Sequence, residues 1–120
     1  VPRRDRGRGE CSIALKCGAC EVAGAGPDFF EAFCRVRESL AIHRLTPQWY
    51  GASRNVFPLG MARGMGLGLK AYRLRLGHRV GRNDLVGIFG EGPGIDPVSV
   101  EAQREFWREW LRSLGFTPRD

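Results

Sequence analysis

CSIALKCGACEVAGAGPDFFEAFCRVRESL, residues 11–40, contains a strand pattern followed by a helix pattern, and this order decides the fold class. Residues 11–17 alternate apolar and polar side chains, which is the two-residue period of a half-buried strand. Residues 18–27 carry three glycines and end in a proline, so they are predicted to form a loop. A helix follows immediately.

This first helix is predicted to run from Asp28 to about residue 44. Asp28 and Glu31 have the spacing of a capping box, in which each side chain satisfies a backbone N–H group at the helix start. Pro47 prevents continuation, because the residue before a proline is pushed out of the helical region. One apolar stripe recurs at intervals of four, three and four residues: Phe29, Phe33, Val36 and Leu40.

The middle of the chain gives weaker strand signals. Residues 48–57 predict a short or bulged strand, and residues 69–76 predict a firmer one. Residues 84–89 are short and apolar, which fits either a buried strand or a helical turn. In the 69–76 strand, alternation assigns three side chains to each face: Tyr72, Leu74 and Leu76 to one, and Ala71, Arg73 and Arg75 to the other.

A second helix is predicted over residues 99–114, with Ser99 as its N-cap and Gly115 in the left-handed position that follows its end. Two aromatic side chains, Phe106 and Trp110, widen its core stripe, which is formed by four residues: Val100, Trp107, Leu111 and Leu114. Glutamates and arginines three apart alternate on the rest of the helix, which is typical of a solvated, ion-paired face. If Trp107 and Trp110 are exposed, this helix is a candidate homodimer contact, as is an uncovered sheet face.

Together these elements predict an α+β, or small α/β, domain at residues 11–116. Its expected architecture is a single-layer sheet of three to four strands packed by two main helices, at about 28–44 and 99–114. The 120 residues, 42% of them hydrophobic, fit one such core. Residues 1–10 are predicted to be a disordered basic arm and residues 117–120 a tail.

Neither a long apolar segment nor a secretory signal pattern occurs in this sequence. We therefore expect no membrane association and a cytoplasmic location. Four cysteines lie in the first third of the chain, and in a reducing cytosol their thiols would stay free.

Basic residues are concentrated in the middle of the chain. The formal net charge is +6, and between Glu38 and Asp84 there are eight lysines and arginines and no acidic residue. Two explanations are open. One is a selected basic surface, and the other is GC-rich coding, since only Lys16 and Lys70 among the 19 basic residues are lysines.

The basic stretch also contains glycines that would let backbone N–H groups approach an anion. We predict an anion-binding site formed by Arg54, Arg63, Gly64, Gly66, Lys70, Arg73 and Arg75. The expected partner is an anionic small molecule or an acidic protein surface, and the alternative is that the glycines only allow Met61 and Met65 to pack closely. Nucleic acid is a further alternative, although no nucleic-acid motif is present. Its basis is that four aromatic side chains interleave with the arginines: Trp49, Tyr50, Phe57 and Tyr72.

Cys17 and Cys20 support a competing thiol-redox or zinc-binding function. A C-x-x-C pair after a strand is similar to the redox pair of thioredoxin-like proteins, but the predicted helix begins eight residues after Cys20, and no proline precedes the 69–76 strand. A zinc site would need Cys34 and either His43 or His78 as further ligands. With only one such pair present, we predict no metal or other cofactor.

Enzymatic activity is not favoured. The sequence contains no Gly-x-Ser-x-Gly, His-Glu-x-x-His or Walker-type lysine motif. The sequence therefore predicts a small non-enzymatic binding domain that uses the basic, glycine-containing surface at about 54–82.

Overall fold

The computed structural model describes residues 2–5, 10–60 and 66–117, with only the backbone described for residues 2–5 and 17. The strands are β1 (Pro2–Asp5), β2 (Glu10–Cys17), β3 (Cys20–Gly26), β4 (Val56–Phe57), β5 (Lys70–Arg73) and β6 (Leu85–Gly87). The helices are α1 (Phe29–Ile42) and α2 (Val100–Ser113), with short 3-10 turns at Tyr50–Ala52 and Arg82–Asp84. The predicted α+β class is confirmed. The described strands are divided between two three-stranded antiparallel sheets, β1-β2-β3 and β4-β5-β6.

The first sheet contains a strand, β3, in a segment that was predicted to be a loop because of its glycines. The predicted strand at 11–17 is confirmed as β2, but residues 20–26, predicted as loop, form β3, which pairs with β2 from Cys11↔Gly26 to Cys17↔Cys20. Glycine here serves close packing: a Cβ atom at Gly24 would lie 2.6 Å from the carbonyl oxygen of Ala32 on α1. The glycines thus allow α1 to lie directly on the sheet.

The N-terminal arm is also more ordered than expected. Residues Pro2–Asp5 form β1, which pairs with β2 from Pro2↔Ile13 to Asp5↔Glu10. The expectation of disorder over residues 1–10 is therefore corrected for this part, because the edge of β2 supplies hydrogen-bond partners that the local composition does not reveal. Residues 1 and 6–9, like the tail residues 118–120, lie outside the described part of the chain.

Helix α1 begins as predicted and ends earlier. The Asp28 carboxylate accepts a hydrogen bond from the backbone N–H of Glu31 at 2.8 Å, and the predicted apolar stripe is buried. The helix ends at Ile42 because Arg44 adopts a left-handed conformation (φ 59°). This turns the chain so that the N–H of Leu45 donates to the carbonyl of Leu40, at 3.0 Å.

The second sheet has β5 at its centre, with β4 and β6 antiparallel on either side. The ordered strand is shorter than the predicted 69–76, so the predicted assignment of faces does not extend beyond Arg73. Ala71 is fully buried and Leu76 is 47% exposed. The reason is that the strand ends at Arg73 and the chain then enters a turn, so the alternation does not extend to residue 76.

Helix α2 matches its predicted caps. Ser99 Oγ accepts from the N–H of Ala102 at 3.1 Å, and Gly115 adopts φ 88° after the helix end. Trp110 is 5% exposed, and the Trp107 ring stacks on Phe57 with centroids 4.8 Å apart. Trp110 is thus covered within the chain, and Trp107 is partly buried. Among the described residues, no helix has the length and apolar character needed to cross a membrane.

Candidate functional site

The most basic described feature is the β5–β6 hairpin, residues 70–87, which we call the basic hairpin. Its two strands pair from Lys70↔Gly87 to Tyr72↔Leu85. Its single acidic residue, Asp84, accepts a hydrogen bond from the N–H of Gly81 at 2.8 Å. Five exposed cationic side chains belong to it: Lys70, Arg73, Arg75, Arg79 and Arg82.

The tip of the basic hairpin is held against the C-terminal end of α2. The indole N–H of Trp110 donates to the carbonyl of His78 at 2.9 Å. The N–H of Gly77 donates to Ser113 Oγ at 2.8 Å, and Ser113 Oγ in turn donates to the carbonyl of Trp110 at 2.6 Å. These contacts fix the turn between Arg75 and His78, so the flanking arginines extend from an ordered backbone.

The three arginines of α2 are paired with carboxylates. On α2, Arg108 lies 3.2 Å from Glu105, the predicted i,i+3 pair, and Arg112 also pairs with Glu105, at 3.6 Å. Arg104 instead reaches Glu31 on α1, at 3.5 Å. Within the described residues, by contrast, no carboxylate lies within ion-pair distance of the five basic-hairpin cations.

The predicted anion-site residues occupy different places. Arg54 pairs with Asp96 through a 3.0 Å contact, and Lys70 and Arg73 are an odd number of residues apart on β5 and so face opposite sides of the sheet. Arg73 donates to the carbonyl of Asn83 at 2.9 Å, and Arg75 lies in the turn. Gly66 is exposed, while Arg63 and Gly64 lie outside the described residues.

At the end of the glycine stretch, Gly68 has a structural role. It adopts φ +74°, and a Cβ atom there would lie 2.9 Å from the backbone nitrogen of Phe30. The preceding carbonyl, that of Leu67, accepts a hydrogen bond from the N–H of Phe29 at 2.7 Å. This part of the stretch therefore packs on and caps the N-terminus of α1. Met61 and Met65 lie outside the described residues.

The cysteines are arranged differently from those of a thioredoxin-like site. Cys17 and Cys20 are cross-strand partners that close the two-residue β2–β3 turn, in which Gly18 has φ 60°. A helix start does not follow Cys20, because β3 intervenes. Cys34 is buried in the core, and no group of three or more potential metal ligands occurs among the described residues.

The aromatic residues considered for base stacking belong largely to the core. Phe57 is 6% exposed, and Trp49 contacts the rings of Phe33 and Phe89 with centroids 5.7 Å away in each case. Tyr72 is half-buried. Phe57 and Trp49 are thus part of the core, whereas Tyr72, on β5 beside Arg73, keeps part of its side chain accessible.

Sequence reasoning missed a buried polar centre that joins both helices to the second sheet. The Arg37 guanidinium, 4% exposed, donates to the Gln103 amide oxygen at 2.7 Å and to the carbonyl oxygens of Val98 at 2.8 Å and Gly51 at 3.2 Å. Burial lowers the pKa of Arg37, and Cys34 offsets part of this effect. The guanidinium nevertheless remains charged at neutral pH.

Helical spacing was the available signal for this centre. Arg37 lies four residues after Phe33, and Gln103 lies three after Val100 and four before Trp107, so both polar residues fall on apolar stripes.

No family model matches this chain, and no curated protein resembles it significantly in sequence.

Proposed function

We propose that this chain is a non-enzymatic binding domain whose basic hairpin engages an anionic small molecule or an acidic protein surface in the cytoplasm. One observation carries the proposal. The five cations of the basic hairpin have no carboxylate partner among the described residues, whereas the arginines of α2 are ion-paired within the chain.

Physical chemistry supports this choice of surface. Like charges held close together raise the local positive potential, which attracts an anion and speeds its association. Arginine adds a planar donor pair that matches the geometry of carboxylate and phosphate groups. Since Trp110 and Ser113 hold the hairpin tip, binding there would require less ordering of the backbone than binding to a mobile arm.

A charge-matched pair of triple variants tests the proposal. One replaces Arg75, Arg79 and Arg82 by glutamine, and the other replaces three α2 arginines by glutamine: Arg104, Arg108 and Arg112. Both variants lose three positive charges. Binding of a fluorescently labelled oligoglutamate, with tripolyphosphate as an unlabelled competitor, would be measured by anisotropy at low and at high salt.

We expect the basic-hairpin variant to bind about tenfold more weakly. Each exposed charge contact contributes about 0.5 kcal/mol, and three of them amount to roughly one factor of ten. The α2 variant should change affinity by less than about twofold. Equal losses in the two variants would mean that only net charge matters. A labelled single-stranded oligonucleotide that binds more tightly than both acidic probes would favour the nucleic-acid alternative instead.

As a second candidate function, we propose thiol–disulfide exchange at Cys17 and Cys20. The supporting observation is their pairing as cross-strand partners. The Cα atoms of such partners are typically about 4.5–5.5 Å apart, which is within the span of a disulfide. A dithiol at these positions would react with oxidised glutathione to give an intramolecular disulfide and two molecules of reduced glutathione.

Mass spectrometry of the peptide that contains both cysteines tests this reaction. We expect the loss of two hydrogens after equilibration with oxidised glutathione, and a midpoint potential above about −300 mV, the range of exchangeable disulfides. A Cys20→Ser variant should instead form a glutathione adduct at Cys17. A peptide that stays fully reduced, or a potential far below this range, would rule out the exchange function.

A further inference from the structure

The outer edge of strand β3 is open. Among the described strands, β3 is the last of its sheet, and it is joined to β2 by a two-residue turn between Cys17 and Cys20. The residues that flank such a turn exchange both backbone hydrogen bonds, so from there on alternate residues of β3 direct their N–H and C=O groups away from β2. These outward-facing residues are Glu21, Ala23 and Ala25. Within the described part of the chain, no backbone group pairs with them on that side.

The strand itself carries none of the features that usually protect an exposed edge from pairing. Natural edges are commonly blocked by proline, lysine or a bulge. The sequence of β3, CEVAGAG, contains neither proline nor lysine, and its register with β2 is continuous. The open edge of β3 can therefore accept a further strand.

Helix α1 lies directly above this edge strand. A Cβ atom at Gly24 would lie 2.9 Å from the Val36 backbone nitrogen and 3.0 Å from the Arg35 Cβ atom. Arg35 is exposed, and no carboxylate of the described residues lies within ion-pair distance of it. An unpaired cation is thus positioned over the open edge.

The contacts of α1 also show on which side of the helix Arg35 lies. Leu40 of α1 and Leu15 of β2 line the same cavity, which marks the side of the helix that faces β2. Arg35 is five residues before Leu40, which places it about 140° around the helix from that side. Since Gly24 of β3 lies between these two directions, Arg35 is on the flank of α1 that a strand added to β3 would face.

A second copy of this chain does not fit the edge. Neighbouring strands are about 4.8 Å apart, whereas packed helices need about 8–10 Å between their axes. Two copies paired through β3 would bring two α1 helices, each directly above its own strand, to about the strand spacing. The occupant must therefore be a strand with no helix on that face, and Arg35 favours an acidic side chain there.

We propose that the open edge of β3 binds an extended segment of a partner protein as a fourth strand, with an acidic side chain facing Arg35. Backbone hydrogen bonds to Glu21, Ala23 and Ala25 supply the affinity, and the contact with Arg35 selects the sequence. This surface belongs to the first sheet and the basic hairpin to the second, so the proposal does not depend on anion binding by that hairpin.

Fluorescence anisotropy with labelled seven-residue peptides tests the proposal. The acidic probe, Thr-Val-Thr-Glu-Thr-Val-Thr, has valine and glutamate on one face and threonine on the other. Its controls are an analogue with lysine in place of glutamate and a form with every amide nitrogen methylated, which cannot donate hydrogen bonds. We expect saturable binding of the acidic probe, binding of the lysine analogue at least about fivefold weaker, and no binding of the methylated form.

Amide hydrogen exchange measured by NMR locates the bound probe. In the free protein, the N–H groups of Glu21, Ala23 and Ala25 should exchange rapidly, and those of Val22 and Gly24, which face β2, should exchange slowly. The acidic probe should slow the first three and leave the other two unchanged. Protection of the first three before any probe is added would show that the edge is not open.

Two variants complete the test. Ala23→Pro removes one outward N–H group, at an edge position that tolerates proline, and should weaken the acidic probe at least about fivefold while slow exchange at Val22 and Gly24 persists. Arg35→Gln should weaken it about twofold to fivefold, and the matched control Arg112→Gln, on α2, should not.

Four results would each overturn the proposal. They are no saturable binding of the acidic probe, equal binding of its methylated form, an unchanged affinity in Arg35→Gln, and a dimer of the unmodified protein that Ala23→Pro dissociates.

Discussion

Replacing Gln103 by leucine should destabilise the protein far more than its single neutral side chain suggests. The Gln103 amide nitrogen donates to the carbonyl oxygens of Gly51, Ser53 and Val56 at 2.9, 2.9 and 2.8 Å. Its amide oxygen accepts from the buried guanidinium of Arg37. Leucine has nearly the same length but can make none of these bonds.

The expected loss is about 2–4 kcal/mol. Each buried polar group left without a partner costs about 1–3 kcal/mol, and a bond to a charged donor lies at the upper end of that range. Burying the leucine side chain returns about 1–2 kcal/mol. The Gly51 carbonyl keeps its contact with Arg37, and the Ser53 carbonyl keeps the N–H of Val56, at 3.2 Å. The sum is therefore over two groups that lose their Gln103 partner, the Val56 carbonyl and one Arg37 N–H. The total free energy of unfolding of a small domain is only about 5–15 kcal/mol, so the variant should be close to unfolding at elevated temperature.

Urea unfolding followed by tryptophan fluorescence measures this loss. The matched control is Glu109→Leu, which introduces the same residue at an exposed position of the same helix and should change stability by less than about 0.5 kcal/mol. If Gln103→Leu cost no more than the control, the polar centre would not stabilise the fold, and our reading of Gln103 and Arg37 would be wrong.

Three further predictions concern the backbone, each measured by the same urea unfolding. Gly24→Ala should destabilise by about 3 kcal/mol because its Cβ atom would press on the α1 backbone, whereas Gly87→Ala, with no atom within 4 Å, should be nearly neutral. Gly68→Ala should cost about 2 kcal/mol through its positive φ and its contact with α1, while Gly66→Ala should have little effect. Arg44→Gly should stabilise by about 0.5–1 kcal/mol, since glycine adopts φ 59° without strain. Equal effects within either glycine pair, or a loss of stability in Arg44→Gly, would contradict these assignments.

Both helices could be predicted because their signals are local. The Asp28 and Ser99 caps, the apolar stripes and Gly115 all act within a few residues of the backbone groups that they satisfy. The sequence did not predict the end of α1 at Ile42, because the left-handed residue that follows is Arg44 and not a glycine. A helix end can be predicted from sequence when a typical capping residue is present, as Gly115 is after α2.

The first sheet could be predicted only in part, because its order depends on partners that are remote in sequence. Gly24 and Gly26 suggested a loop, yet in β3 they form the surface on which α1 lies. The strand β1 forms by pairing with β2, and no local sequence pattern in Pro2–Asp5 predicts a strand there. Strand formation in such segments depends on tertiary contacts more than on intrinsic propensity.

The sequence predicted where basic residues are concentrated, but it did not predict which of them lie close together in space. Sequence identified the basic stretch, but grouping Arg54 with Lys70 and Arg73 ignored the Asp96 partner and the two faces of β5. It also left Arg79 and Arg82 out of the proposed site, although they belong to the same hairpin. The contacts that hold this hairpin, from Trp110 and Ser113, lie more than 30 residues away in the chain.

Anisotropy of labelled oligoglutamate with the two charge-matched triple variants tests the proposed function most directly. We expect glutamine at positions 75, 79 and 82 to lower the affinity about tenfold, and glutamine at positions 104, 108 and 112 to lower it less than about twofold. Binding by the unmodified protein should weaken as salt rises. Equal affinities in the two variants, or no saturable binding by the unmodified protein at low salt, would contradict it.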